Sequence, residues 1–209
     1  MDVIHHYDML IDENNDPYRD PKPLQDYMDK WDGMEFINSM SLSKDKTVLE
    51  IGIGTGRLAA KVAPHCNYLC GIDISPKTIY RATENLNFLN NVQLICADFF
   101  EYSFKTSFDI IYCSLTLMHF QNKNKFFSKV SNLLNSNGRF VLSIDKNQDE
   151  YIDYGTRKIK VYPDTPADTI KNIENTAMEI TNSFETENAY IFVCTKASGK
   201  LLNFELIMV

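Results

Sequence analysis

The sequence predicts an α/β fold, a doubly wound, seven-stranded and mostly parallel sheet that closes with an antiparallel C-terminal hairpin. Three observations predict it. Short apolar runs alternate with helical patterns along the chain, which is the rhythm of βαβ units. The runs carry Val, Ile, Leu and Phe at successive rather than alternate positions, as strands covered on both faces do. The last two runs are joined by a short polar turn, as in a hairpin.

In chain order, residues 5–23 are polar and proline-punctuated and are expected to be irregular. Leu24, Tyr27, Met28 and Trp31 then fall at i, i+3, i+4 and i+7, a stripe that predicts an amphipathic helix packed on the sheet. Parallel strands are expected at 47–51, 68–72, 92–96, 108–113 and 140–144. Between them, Ser75 is placed to cap a helix with Pro76 in its first turn, and Ile79, Ala82, Leu86 and Leu89 share one face of it. A second helix runs through Phe126, Val130, Leu133 and Leu134 and is expected to stop at Asn137 and Gly138. A connection bearing Tyr151, Tyr154 and Tyr162 leads to Thr165-Pro166-Ala167-Asp168, a capped helix start. Strands at 179–184 and 190–195 form the closing hairpin.

At 209 residues the chain matches one domain of about 150 residues with an appendage. Residues 1–45 are read as an N-terminal helical or lid extension and 46–198 as the core of a single domain spanning 1–209. The formal charge of -7 and pI near 5.1 set the overall field against phosphate backbones and anionic lipid, so no nucleic-acid partner is expected. No stretch approaches the ~18 apolar residues of a membrane span, and no Lys or Arg precedes an apolar run in the first eighteen residues; a cytoplasmic protein is expected. Five cysteines, at 66, 70, 96, 113 and 194, form no CxxC pair, which argues against a disulfide scaffold and a zinc site. Cys96 and Cys113 lie in apolar runs and read as small buried hydrophobes.

The informative segment is VLEIGIGTGRLA, residues 48–59, where a strand runs directly into Gly52, Gly54 and Gly56 and then a helix. Such glycines let the backbone turn tightly and approach a ligand, with a helix N-terminus facing it. A dinucleotide GxGxxG fingerprint would need glycine where Arg57 stands, and it asks for no acid like Glu50 inside the strand. Arg57 is read as a solvated helix-surface charge. Asp73 ends the second strand in GIDIS, placed to bond a ribose diol, and Asp98-Phe99 follows the third strand on the same edge.

Over residues 45 to 196 this pattern resembles the class I, Rossmann-like, S-adenosylmethionine-dependent methyltransferases. The resemblance implies that Gly52, Gly54 and Gly56 approach the methionyl part of S-adenosyl-L-methionine, with Glu50 orienting the loop and meeting the amino group through water. It implies that Asp73 holds the ribose hydroxyls, that Ile74 and Phe99 flank adenine, that Asp98 accepts from the adenine amino group, and that the backbone at Cys113 and Ser114 lines the sulfonium end. S-adenosyl-L-homocysteine would be the product. Each assignment keeps a structural alternative: Asp73 or Asp98 as a helix cap, Ile74 or Phe99 as plain core.

Members that methylate exocyclic amines of nucleic acids carry Asp or Asn, Pro, Pro and an aromatic after the fourth strand, where this chain has Cys113-Ser114-Leu115-Thr116. No cysteine follows a proline, no Glu lies between Glu101 and Glu150, and no Asp lies between Asp109 and Asp145. These absences favour a metal-independent enzyme acting on a small molecule by in-line displacement at the sulfonium methyl. His119, in LTLMHF, has a reference pKa of ~6.5 that suits a general base; a histidine that only ties its loop together is the structural reading. His5, His6 and Tyr7 form a lid over the cofactor in one reading and a surface terminus in the other. Tyr151 and Tyr154 either stack on an acceptor or cover the core. An S-adenosylmethionine-binding protein without transferase activity and, behind it, an NAD-dependent oxidoreductase are the competing functions.

Overall fold

The computed structural model describes residues 2–197. In chain order the elements are α1 (Val3–Asp12), α2 (Lys22–Met28), α3 (Gly33–Ser39), β1 (Thr47–Ile51), α4 (Ala59–Val62), β2 (Tyr68–Asp73), α5 (Pro76–Asn85), β3 (Val92–Cys96) and β4 (Phe108–Ser114). They continue with α6 (Lys123–Leu133), β5 (Leu134–Asp145), β6 (Tyr151–Asp153), β7 (Lys158–Lys160), α7 (Pro166–Glu174), β8 (Met178–Glu185) and β9 (Ala189–Lys196). Seven strands form one sheet in the order β3-β2-β1-β4-β5-β9-β8. The first five are parallel and β9 enters antiparallel to β5, as the sequence predicts. The chain leaves β1 towards β2 and β3 on one side and returns as β4 on the other, so the gap between the carboxyl ends of β1 and β4 is a topological switch point.

Strand periodicity splits the core in two. Leu49, Ile111 and Leu142 face one layer, with Phe126, Phe127 and Val130 of α6. Their neighbours Val48, Ile110 and Val141 face the other, with Phe36 and Ile37 of α3 and Val62 of α4. Both faces are therefore dry, which is why the strand runs read as continuously apolar. The cap at Ser75, which accepts from Thr78 N–H, and the cap at Thr165 stand where the sequence places them.

Five expectations are corrected. Residues 3–12 are helical: Asp2 caps the helix by accepting from His5 N–H, and His6 and Leu10 are buried, so tertiary docking overrides a polar composition. Of the Leu24 stripe only Trp31, which lies beyond the end of the helix, packs against the core. The helix carrying the rest stops at Met28 with none of its residues buried, Leu24 and Tyr27 about half exposed, and it is α3 that packs through Phe36 and Ile37. Helix α6 ends at Leu133, because Leu134 already pairs with Phe108 in β5 and its apolar side chain belongs to the sheet's core. Residues 151–160 hold a second small sheet, β6 with β7, whose three-residue strands are too short to show a period. Cys96 is exposed, as the end of an edge strand allows, whereas Cys113 is buried. No helix among the described residues is long and apolar enough to cross a membrane.

Candidate active site

The glycine loop leaves β1 at Ile51, and Gly52, Gly54 and Gly56 all take positive φ, at 75°, 56° and 93°. Their surroundings differ. A Cβ on Gly52 would overlap the Thr116 side chain, and one on Gly56 would sit 2.8 Å from Leu86 Cδ1, whereas one on Gly54 would meet nothing within 4 Å. Gly54 thus presents bare backbone to open space. Its N–H donates to Asp73 Oδ2 at 3.0 Å, and Ser75 N–H donates to Asp73 Oδ1 at 3.0 Å, so the carboxylate at the end of β2 is aimed by backbone on two sides. Burial nevertheless holds the Asp73 carboxyl above its ordinary range.

The other residues expected here divide into those brought to the switch point and those drawn away. Ile51 pairs with Cys113, which sets the glycine loop beside the end of β4. Ser114 is partly buried and donates its hydroxyl to Asp32 Oδ2 at 2.9 Å; Cys113 is fully buried, and burial pushes its thiol well up. Glu50 accepts from the Tyr112 hydroxyl at 2.6 Å and is pushed up to about 8 by burial, so it is a neutral acid at pH 7. Ile74, just past β2, is partly buried. Ala97 N–H donates to Asp73 O at 3.0 Å, which brings the end of β3 alongside. There Asp98 accepts from Phe100 N–H at 2.6 Å and Glu101 N–H at 3.3 Å, closing a turn. Phe99 is 4% exposed among Phe100, Phe104, Phe120 and Phe126, so its ring is committed to the core.

Arg57 is not a solvated charge. Its guanidinium binds Asp32 through Nη1 at 3.1 Å and Nη2 at 2.5 Å and reaches Asp29 at 3.2 Å, with only 11% of its side chain exposed. The N-terminal segment also holds the loop at Thr55. Asn85 Nδ2 donates to Thr55 O at 2.9 Å and to both oxygens of buried Asp16 at 3.2 Å, and Arg81 braces Asp16 from the side at 3.1 Å. No local signal in the sequence announces these contacts, which join residues 25 to 69 positions apart.

His119 lies in a 3-10 turn, Leu117–His119, and is the fifth residue after β4. Its Nε2 is 2.8 Å from the Tyr7 hydroxyl, which α1 delivers from the far end of the chain. Burial pushes the Tyr7 hydroxyl well above its ordinary range and lowers His119 to about 4, so both are neutral at pH 7. The tyrosine is then the donor and His119 Nε2 the acceptor, which puts the imidazole proton on Nδ1, buried and without a partner. Neighbouring His6 is fully buried, accepts from Arg157 Nε at 3.3 Å through Nδ1, and packs against Tyr154. Arg157 in turn forks onto Glu13 with two contacts of 2.5 Å, fastening the β6–β7 flap to α1. Asp8 completes the docking by accepting from the Ser75 hydroxyl at 2.7 Å and Lys77 N–H at 3.1 Å, beside Asp73. Tyr151 stays half exposed on the flap.

Known proteins resemble this arrangement. An uncharacterised methyltransferase of Schizosaccharomyces pombe is 26% identical over 131 residues, 57% of this chain and 46% of its own length. The chain spans about half the length of the curated relatives it matches. Among solved structures, the N-methyltransferase NodS from Bradyrhizobium japonicum in complex with S-adenosyl-L-homocysteine superposes with a TM-score of 0.73 at 17% identity, covering 95% of this chain and all of that one. The [4+2]-cyclase SpnF superposes at 0.75 with 13% identity, covering 94% and 96%, and shows the same fold. The family model described as a methyltransferase domain matches residues 42–190, well over half of the sequence, and the chain belongs to this S-adenosyl-L-methionine-dependent family.

Proposed function

We propose that the protein transfers a methyl group from S-adenosyl-L-methionine to a small-molecule acceptor, without a metal ion, by in-line displacement. The observation that carries this reading is the switch-point crevice: bare Gly54 backbone on one side, Asp73 aimed by two N–H groups on the other, and the Tyr7–His119 pair close by after β4. These residues fit the donor. Gly54 leaves room for a backbone approach, Asp73 offers two acceptor oxygens to a ribose diol, and the crevice lies outside the carboxyl ends of the strands. When bound, the donor supplies a methyl on a positively charged sulfur that departs as a neutral thioether.

The chain's own task is alignment, exclusion of water and removal of a proton. Helix α1 roofs the crevice from Asp8 at Ser75 to Tyr7 at His119. Because the tyrosine hydroxyl occupies Nε2, a proton leaving the acceptor passes to the Tyr7 oxygen as the tyrosine proton moves to His119. Burial keeps His119 neutral, and so able to take a proton, at every pH above about 4. It also makes the ring a weak base, so the proton it takes is one that methyl transfer has itself made acidic. An acidic chain whose five cysteines are all free fits a reducing compartment, and we place the reaction in the cytoplasm.

Calorimetry with S-adenosyl-L-homocysteine and NAD, followed by transfer of labelled methyl to a panel of phenols, amines, thiols and carboxylates, tests the proposal. Binding of the first ligand only, with a methylated product, is expected. Binding with no product from any acceptor would leave a donor-binding protein without transferase activity. Binding of neither ligand overturns the reading.

A further inference from the structure

The region matched by the methyltransferase family begins at residue 42, yet the residue that ties the two walls of the crevice together lies before it. Asp32 caps α3, and its side chain is 0% exposed. It accepts from Gly33 N–H at 2.7 Å, from Arg57 at 3.1 and 2.5 Å, and from the Ser114 hydroxyl at 2.9 Å. Arg57 directly follows Gly56, the last glycine of the loop. Ser114 ends β4 and lies two residues before Thr116, whose side chain packs on Gly52. One carboxylate therefore spans from the loop to the end of the facing strand.

We infer that Asp32 is a positioning residue for the methyl donor: it fixes the distance between the glycine loop and the end of β4, and with it the seat of the donor's amino-acid half. This rests on the donor-site reading above. A buried ion pair is rarely the most stabilising way to fill a space, because desolvation consumes much of what the charges gain. A forked guanidinium and a hydroxyl on one fully buried carboxylate do fix geometry. The adenosine half of the donor would lie towards Asp73, on the opposite side of the loop, and owes Asp32 nothing.

That asymmetry supplies the test. Binding of S-adenosyl-L-homocysteine is compared with binding of 5′-methylthioadenosine, which keeps adenosine and sulfur but lacks the amino-acid part. Asp32→Asn is expected to weaken the first by about tenfold or more and to leave the second within about twofold. Arg57→Lys keeps the charge beside Asp32 but loses the fork, so it should show the same split at smaller size even if Asp32→Asn folds poorly. Equal losses for both ligands, or no loss in either variant that folds, would overturn the inference while leaving the donor site standing. Wild-type protein that binds neither ligand overturns the donor-site reading and this inference with it.

Discussion

The two halves of the crevice are built by different means. The donor half is made where the sheet makes it: Gly52 to Gly56, Asp73 and Ser114 stand at the ends of adjacent parallel strands, and backbone N–H groups satisfy the key carboxylate. The acceptor half is assembled from segments 112 and 151 residues apart, with Tyr7 on His119 and Arg157 on His6. It also leaves His6 Nε2 and His119 Nδ1 buried without partners, whereas the donor half gives its buried Asp73 carboxylate two N–H donors. Geometry that a sheet dictates survives small perturbations; geometry that rests on docking a terminal helix responds to pH and to ligands.

The largest separation between the halves is expected from His119→Gln. It should lower turnover by ~10² to 10⁴ while S-adenosyl-L-homocysteine affinity stays nearly unchanged. Tyr7→Phe, which removes the relaying hydroxyl, should fall in the same direction. The pH profile carries a sign: with His119 held near 4, the neutral form is complete well below neutrality, so turnover of a weakly acidic acceptor rises with unit slope only below about pH 4 and is flat above it. A break near the ordinary histidine value of ~6.5 would mean that another group takes the proton.

On the donor side, Asp73→Ala removes acceptors worth ~1.5 to 3 kcal/mol to the ribose, about 10- to 150-fold in dissociation constant. Tight binding of S-adenosyl-L-homocysteine by that variant would sink the ribose assignment. The loop glycines sharpen the point. Gly54→Ala and Gly52→Ala both pay for a left-handed conformation, about 1 kcal/mol or more. Only Gly52→Ala also drives a methyl into Thr116, so it should lower the melting temperature further. Gly54→Ala should fold and bind the donor poorly, because its methyl fills the space the ligand needs.

The same contrast explains what could be read from the sequence. Strands, switch point and glycine loop were legible because each leaves a local trace: an apolar run, a positive-φ glycine, an acid at a strand end. Asp73 and Ser75 are two residues apart and speak for themselves. Arg57 was misread because nothing near position 57 reveals Asp32, and the partner is 25 residues away. Phe99 was expected beside adenine because an aromatic after a strand looks the same whether it faces a ligand or, as here, four other phenylalanines. Helix α1 was missed for the complementary reason, since the contacts that make it helical lie on α5 and on the β6–β7 flap.

The smallest expected effect probes the fastening of α1 itself. His6 is held below its ordinary value by burial and by Arg157, and His119 by burial. Groups whose folded pKa is depressed stabilise docking fully above the unfolded value of ~6.5, and that stability is lost as pH falls towards about 4. Amide hydrogen exchange in residues 3–12 should therefore accelerate over that window while β1 amides stay protected. Glu13 opposes this loss: its carboxylate pairs with Arg157 and softens the positive charge beside His6. Glu13→Gln should speed α1 exchange about two- to fivefold at neutral pH and low salt, with a smaller change at high salt because Glu13 is about half exposed. Equal acceleration in α1 and β1 would mean that the pair supports the whole fold rather than the docking of one helix. No change in α1 at any salt concentration would mean that Tyr7, His6 and Asp8 hold the helix without it.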